Sequence, residues 1–60
     1  MQQAVLVEFA SQVIEVHGHK AEREAVRQAA LCAKYGKTQT AETWRLVNEE
    51  IRRQRREMLN

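Results

Sequence analysis

Residues 16–36 read VHGHKAEREAVRQAALCAKYG, an alanine-rich stretch with a glycine near each end. Glycine readily takes the left-handed backbone conformation that ends a helix just past its last turn. Gly18 and Gly36 are the only glycines, and they divide the chain into segments of similar length. The chain contains no proline, so nothing else in the sequence breaks a helix. The pattern predicts three helices with short connections.

The middle segment predicts a helix over about residues 20–35. Small side chains allow another helix to approach closely, but each of them buries little apolar area. An alanine seam therefore stabilises a fold less than a leucine seam of the same length. The apolar side of this helix comprises Ala21, Ala25, Ala29 and Cys32 together with Val26, Ala30 and Ala33.

The segment before Gly18 predicts a first helix over about residues 2–16. Apolar residues recur there at three- and four-residue spacing, which places them on one side of a helix. Strict alternation fails at the adjacent pair Phe9-Ala10, so a strand is the weaker interpretation. The stripe comprises Leu6, Phe9, Ala10, Val13 and Val16.

The segment after Gly36 predicts a third helix over about residues 40–58. Thr38 and Thr40 are both acceptable N-caps. Thr40 is preferred, because Glu42 then lies in the first turn, where the helix dipole favours negative charge. Trp44 is expected to be the largest single packing element. Glu49 can pair with Arg53 one turn later. The apolar stripe of this helix comprises Trp44, Val47, Ile51 and Met58.

The chain length, 60 residues, allows one domain, 1–60. The expected fold is all-α, a small three-helix bundle with short connections, and the alternative is a long helical hairpin that dimerises. A chain of this size buries only about 60% of its unfolded surface. Association with another chain is one common way to stabilise such a small core.

The single cysteine, Cys32, excludes an internal disulfide and favours a reducing compartment. We see no basic segment followed by an apolar run and a cleavage site, and no apolar stretch long enough to span a bilayer. The sequence therefore predicts a cytoplasmic protein with no membrane partner.

Catalytic and metal-binding residues are sparse. His17 and His19 flank Gly18, and Cys32 follows on the next helix, but a zinc site needs three or four ligands that converge on one point. The chain has no paired-cysteine motif and no glycine-rich phosphate loop. We therefore expect neither an enzyme nor a bound metal or cofactor.

A basic run lies near the end of the third helix and predicts, as one alternative, a nucleic-acid-binding protein. A helix-turn-helix is disfavoured, because Glu42 stands where an apolar residue should follow the turn and because the connection from Gly36 to Thr40 is long. The candidate contacts are Arg45, Arg52, Arg53, Arg55 and Arg56, and interleaved glutamates argue against them.

Three apolar residues fall outside the main stripes and mark a candidate partner surface. Leu46 lies on roughly the opposite side of its helix from Trp44, and Val7 and Ile14 share one line of the first helix. The thin alanine seam and these residues favour a homo-oligomer or another protein chain as the partner. Protein–protein interaction or self-association is the leading functional prediction.

Spacing over residues 9–54 resembles that of a group of short bacterial helical proteins of unknown function. The group has a His-Gly between its first two helices, alanines along the second and one Trp early in the third. The basic turn at residues 34–37 and the arginine run depart from it. The resemblance implies a three-helix fold and no known activity. The matching residues are Ala10, Ile14, His17, Gly18, Ala21, Ala25, Ala29, Gly36, Trp44 and Ile51.

Overall fold

The computed structural model describes the backbone of residues 2–59 and the side chains of residues 2–58. Helix α1 is Gln3–His17, a 3-10 turn spans Gly18–Lys20, α2 is Ala21–Lys34 and α3 is Thr38–Leu59. Residues 2–59 contain no strand, and the predicted all-α class is confirmed. The two ends of the predicted domain, Met1 and Asn60, lie outside the described residues.

The first connection is built on Gly18. Its φ of 59° and ψ of −130° lie in a region that side chains rarely adopt, and its N–H donates to the carbonyl of Ile14. Helix α1 therefore ends at His17, one residue beyond the prediction. Because the 3-10 turn occupies residues 18–20, α2 begins at Ala21 rather than near Lys20.

The second connection is a three-residue turn, residues 35–37. Gly36 has φ of 76°, its N–H lies 3.1 Å from the Ala33 carbonyl, and the N–H of Lys37 lies 2.8 Å from the Cys32 carbonyl. This pair of bonds is the Schellman motif. Helix α3 then starts at once, because the Lys37 carbonyl already accepts the Ala41 N–H at 2.9 Å. The expectation of Thr40 as N-cap is therefore wrong.

Helix α3 is the element that both other helices contact. It packs along α2 and against α1, whereas α1 and α2 contact each other at few points. Glu22, near the start of α2, pairs with Arg52 and Arg55 near the end of α3, so α2 and α3 run antiparallel over their length. The arrangement is more open than a bundle with three equal interfaces.

The core is small, and α3 supplies its largest members. Among the described residues, Ile51 and Val47 are the largest side chains that are fully buried. Trp44 packs against the core but is only partly buried; its ring meets that of Phe9 edge to face at 5.4 Å. The buried cluster is Leu6, Ala10, Val13, Ala21, Ala25, Val47 and Ile51.

The apolar arc of α2 is wider than the strip that its neighbours cover. Ala21, Ala25 and Ala29 are buried, as expected, but Val26 is 55% exposed. Ala30 and Ala33 are exposed as well. Because these three side chains remain exposed, no other helix covers this part of α2 within the described residues.

We predict that Ile51→Ala lowers the free energy of unfolding by about 3 kcal/mol, because it removes a fully buried side chain and leaves a cavity. Urea denaturation followed by circular dichroism measures the change. If Ile51→Ala does not fold, Ile51→Val, expected to cost about 1 kcal/mol, gives the same test. Met58→Ala, at a residue 77% exposed, is the matched control, and an equal cost there would contradict this account of the core.

Candidate interaction surface

A polar network fastens α1 to α3 beside the core. The Gln54 amide nitrogen donates to the Val7 carbonyl at 3.1 Å and to Glu50 at 3.0 Å. The Ser11 hydroxyl lies 3.0 Å from the Gln54 side-chain oxygen. Since Gln54 bonds both helices, it fixes their register at this point.

Glu50 is the one buried charged residue among those described, with 4% of its surface exposed. Arg53 donates to it through Nε at 2.9 Å and through Nη2. The Arg53 guanidinium is the largest cause of the lowered pKa of Glu50, and the Gln54 hydrogen bond adds to it against the opposing effect of burial. The predicted Glu49–Arg53 pair is therefore wrong, because Arg53 binds Glu50 and Glu57 instead.

A second carboxylate with a lowered pKa, that of Glu24, lies on α2. Arg27 and Gln28 both donate to Glu24, at 2.8 Å each. The Arg27 hydrogen bond is the main cause that lowers the pKa of Glu24 to about 2. These bonds hold the three side chains in a fixed arrangement on the surface of α2.

Most of the candidate nucleic-acid contacts are engaged within the chain. Arg45 pairs with Glu42 at 2.9 Å and Arg52 with Glu22 at 3.3 Å. Arg53 pairs with its two glutamates, as described above. Arg56 has no ion pair within residues 2–58 and lines a shallow depression beside Leu46. The interleaved glutamates thus neutralise most of the run.

Arg55 of α3 binds the start of α2 and the turn that joins α1 to α2. One guanidinium nitrogen donates to Glu22 at 2.8 Å, and the other donates to the carbonyl of Gly18. Its side chain is only 27% exposed. The contacts give Arg55 a structural task, which sequence spacing alone did not indicate.

The structure does not gather the predicted partner surface into one patch. Ile14 is half-buried and packs against the core, and Val7 is half-buried next to the Gln54 network. Leu46 is 38% exposed and lines the depression with Leu6 and Glu50. Neither Val7 nor Ile14 lines that depression.

A larger groove, of about 420 Å³, lies between α2 and α3. No residue of α1 lines it. Trp44 and small side chains of α2 form its apolar part, and charged side chains of α3 form one rim. We call it the α2/α3 groove; its residues are Ala25, Val26, Ala29, Ala30, Trp44, Arg45, Asn48, Glu49 and Arg52.

Sequence periodicity does not identify the exposed apolar residues. It places Val16, Val26 and Met58 on apolar stripes, yet their side chains are 76%, 55% and 77% exposed, and it gives no role to Tyr35, which is 69% exposed. The signal was available in the width of the apolar arc of α2, which exceeds what one neighbouring helix can cover. The exposed large apolar residues are Val5, Val16, Val26, Leu31, Tyr35, Leu46 and Met58.

Cys32 lies far from the two histidines that were candidate metal ligands, His17 and His19. His19 lies in the 3-10 turn before α2, and Cys32 lies in the last turn of α2. At 1.5 Å per residue this places them about 20 Å apart along the helix axis. Within the described part of the chain, no three His, Cys, Asp or Glu residues are grouped to hold a metal ion.

The turn before α3 is shorter than the sequence suggested, but the helices that it joins lie side by side. A DNA-binding helix-turn-helix sets its two helices at a wide angle, whereas α2 and α3 stay in contact from Gly36 to the Glu22–Arg55 pair. This geometry is that of a helical hairpin.

No family model, curated protein or solved structure matches the chain. None of the helices in residues 2–59 has the length and apolar character that crossing a membrane requires.

We predict that Glu50→Gln lowers the free energy of unfolding at neutral pH by about 1–2 kcal/mol, since it removes a buried charge-assisted bond. Because the folded-state pKa of Glu50 lies below its usual value, this stabilisation is present above about pH 4.3 and is lost as the pH falls through the folded-state pKa. Urea titrations at several pH values measure it.

The variant should therefore lose less stability on acidification than the wild type. Glu57→Gln, which removes the exposed partner of the same arginine, is the control and should change stability by less than about 0.5 kcal/mol. Parallel stability curves for wild type and Glu50→Gln would contradict the role of Glu50.

Proposed function

We propose that the chain acts by binding another protein chain, in the first instance a second copy of itself. The observation that supports the proposal is the set of large apolar side chains left in solvent. Val16 and Met58 are more than three-quarters exposed, and Val26 and Tyr35 are more than half exposed. Apolar side chains that are grouped on a surface are typical of proteins that bury them against a partner, and Val26 is grouped with Trp44 and the alanines of the α2/α3 groove.

The size of the core supports the same proposal. Its fully buried positions are filled mainly by alanines, with Ile51 and Val47 as the largest members among the described residues. Each buried alanine contributes much less than a buried leucine. A second chain adds apolar burial without a longer sequence, and for a fold this thin that gain is large.

In this proposal the chain is a small three-helix bundle that works in the cytoplasm as an accessory or self-assembling unit. It carries out no reaction and needs no metal or cofactor. The resemblance to short bacterial helical proteins supports the fold part of the proposal and supplies no activity.

We predict that the purified protein sediments as a dimer or a larger oligomer whose mass rises with concentration. Analytical ultracentrifugation across a concentration series at moderate salt measures it. A folded monomer at every concentration would contradict self-association and would direct the search to a different protein partner.

Nucleic-acid binding through Arg45, Arg52, Arg53, Arg55 and Arg56 is the second candidate function. Its support is the exposure of the Arg45 and Arg52 side chains, which are 57% and 61% exposed. Exposed ion pairs contribute only about 0.2–1 kcal/mol each, so a phosphate group can compete with Glu42 or Glu22 for them. Nucleic-acid binding is the second candidate because most of these arginines already pair with glutamates of the same chain.

The test of this candidate is the salt dependence of binding to a duplex DNA and to a single-stranded RNA. If the arginines bind phosphates, replacing Arg52 and Arg56 by glutamine flattens the dependence of affinity on salt. Absence of binding by the wild type at low salt would remove the candidate.

A further inference from the structure

The α2/α3 groove has an apolar hollow lined by alanines, and a valine side chain projects beside it. Ala29 and Ala30 give it a low floor on α2, and Val26 stands next to them with more than half of its surface exposed. A surface that carries both a projecting valine and an alanine-lined hollow can pack against a copy of itself.

The side of α3 that borders the groove carries charges in a self-complementary order, and Arg45, Glu49 and Arg52 of this row line the groove itself. Glu42, Arg45, Glu49 and Arg52 follow one another on α3 at spacings of three, four and three residues, which keeps them on one side of the helix. Read from the N-terminal end, the charges are negative, positive, negative and positive; read from the C-terminal end, each sign is the opposite. When two such helices lie antiparallel, Arg45 faces Glu49 and Glu42 faces Arg52, and each pair occurs twice.

Glu49 is the member of this row that most lacks a partner within its own chain. It has no ion pair within residues 2–58, although Arg45, Arg52 and Arg53 lie one turn away on the same helix. Those arginines are turned to Glu42, Glu22 and Glu50. A carboxylate on the groove rim is therefore available to a cation from outside.

We infer that two copies of the chain pack through their α2/α3 grooves about a two-fold axis, with the α3 helices antiparallel. The inference rests on the proposed self-association and names its surface. At the interface Arg45 of each chain bonds Glu49 of the other, Arg52 reaches the partner's Glu42, and each Val26 enters the apolar part of the facing groove. A parallel arrangement would place like charges opposite each other.

The two-fold contact would use less than a fifth of the exposed surface. A stable interface buries about 800 Å² on each side, and the chain exposes 4550 Å² in total. A two-fold contact is also closed, because the same patch serves both chains. Docking of the acidic side of α1, with Glu8 and Glu15, onto the groove would instead leave free ends that add further copies.

The experiment compares dimer dissociation constants of the full chain by analytical ultracentrifugation at low salt, with circular dichroism to verify folding. Glu49→Arg alone and Arg45→Glu alone each place like charges opposite each other twice. Each is expected to weaken the dimer about tenfold, since two attractive pairs become repulsive.

An equimolar mixture of the two single variants restores association. In that heterodimer both Arg45–Glu49 contacts regain opposite charges, one of them with its signs exchanged. The double variant carrying both changes also restores the dimer, to within about threefold of the wild type. Neither rescue depends on how well a single variant packs.

Two control variants complete the design. Glu8→Arg makes the same charge change on α1 and should leave the dimer intact; an equal weakening there would overturn the inference in favour of docking by α1. Leu46→Asp should also have little effect, and dissociation by it alone would place the interface beside Leu46.

The failures are distinguishable. A wild type that is monomeric throughout removes the proposed self-association and this surface together. A stable dimer that Glu49→Arg leaves unchanged removes only this surface. Single variants that weaken the dimer, but are not rescued by mixing, remove the two-fold antiparallel geometry.

Discussion

The burial of one side of α3 is the constraint on which the rest of the structure depends. Val47 and Ile51 are enclosed because α1 and α2 both contact α3 and contribute side chains to the same buried cluster. Helices α1 and α2 contact each other little, so neither can hold the other in place. Apolar burial is roughly proportional to the area removed from water, and α1 and α2 each share more contact with α3 than with each other.

Polar contacts then fix the geometry that burial leaves open. Gln54 sets the register of α1 by bonding the Val7 carbonyl, and Arg55 holds the Gly18 junction and Glu22 against the end of α3. Helix α3 therefore has apolar side chains along one side and, near its C-terminal end, side chains that donate hydrogen bonds to the other elements. Two members of the basic run, Arg52 and Arg55, therefore help to hold α2 against α3.

The open arrangement also explains the surface that the chain leaves uncovered. A helix covered on one side by α3 alone cannot bury an apolar arc as wide as that of α2, so Val26, Ala30 and Ala33 stay in solvent. The arginines and glutamates of α3 border the same groove. Apolar exposure and balanced charge therefore occur together at this groove, as an apolar centre and a polar rim do in protein–protein interfaces.

The sequence by itself determined the all-helical class and the two glycine positions beside which helices end. Only Gly18 and Gly36 can end a helix cheaply here, and the remaining residues favour helix. The local sequence did not decide that Arg53 pairs with Glu50 rather than with Glu49. The two glutamates are adjacent on α3, and what distinguishes them is that Glu50 is buried whereas Glu49 is exposed. The local sequence also did not place Val26 in solvent and Ile14 against the core, since periodicity marks an apolar arc but not the helix that covers it. The tertiary structure decided those points, because they depend on which faces three helices can bury at once.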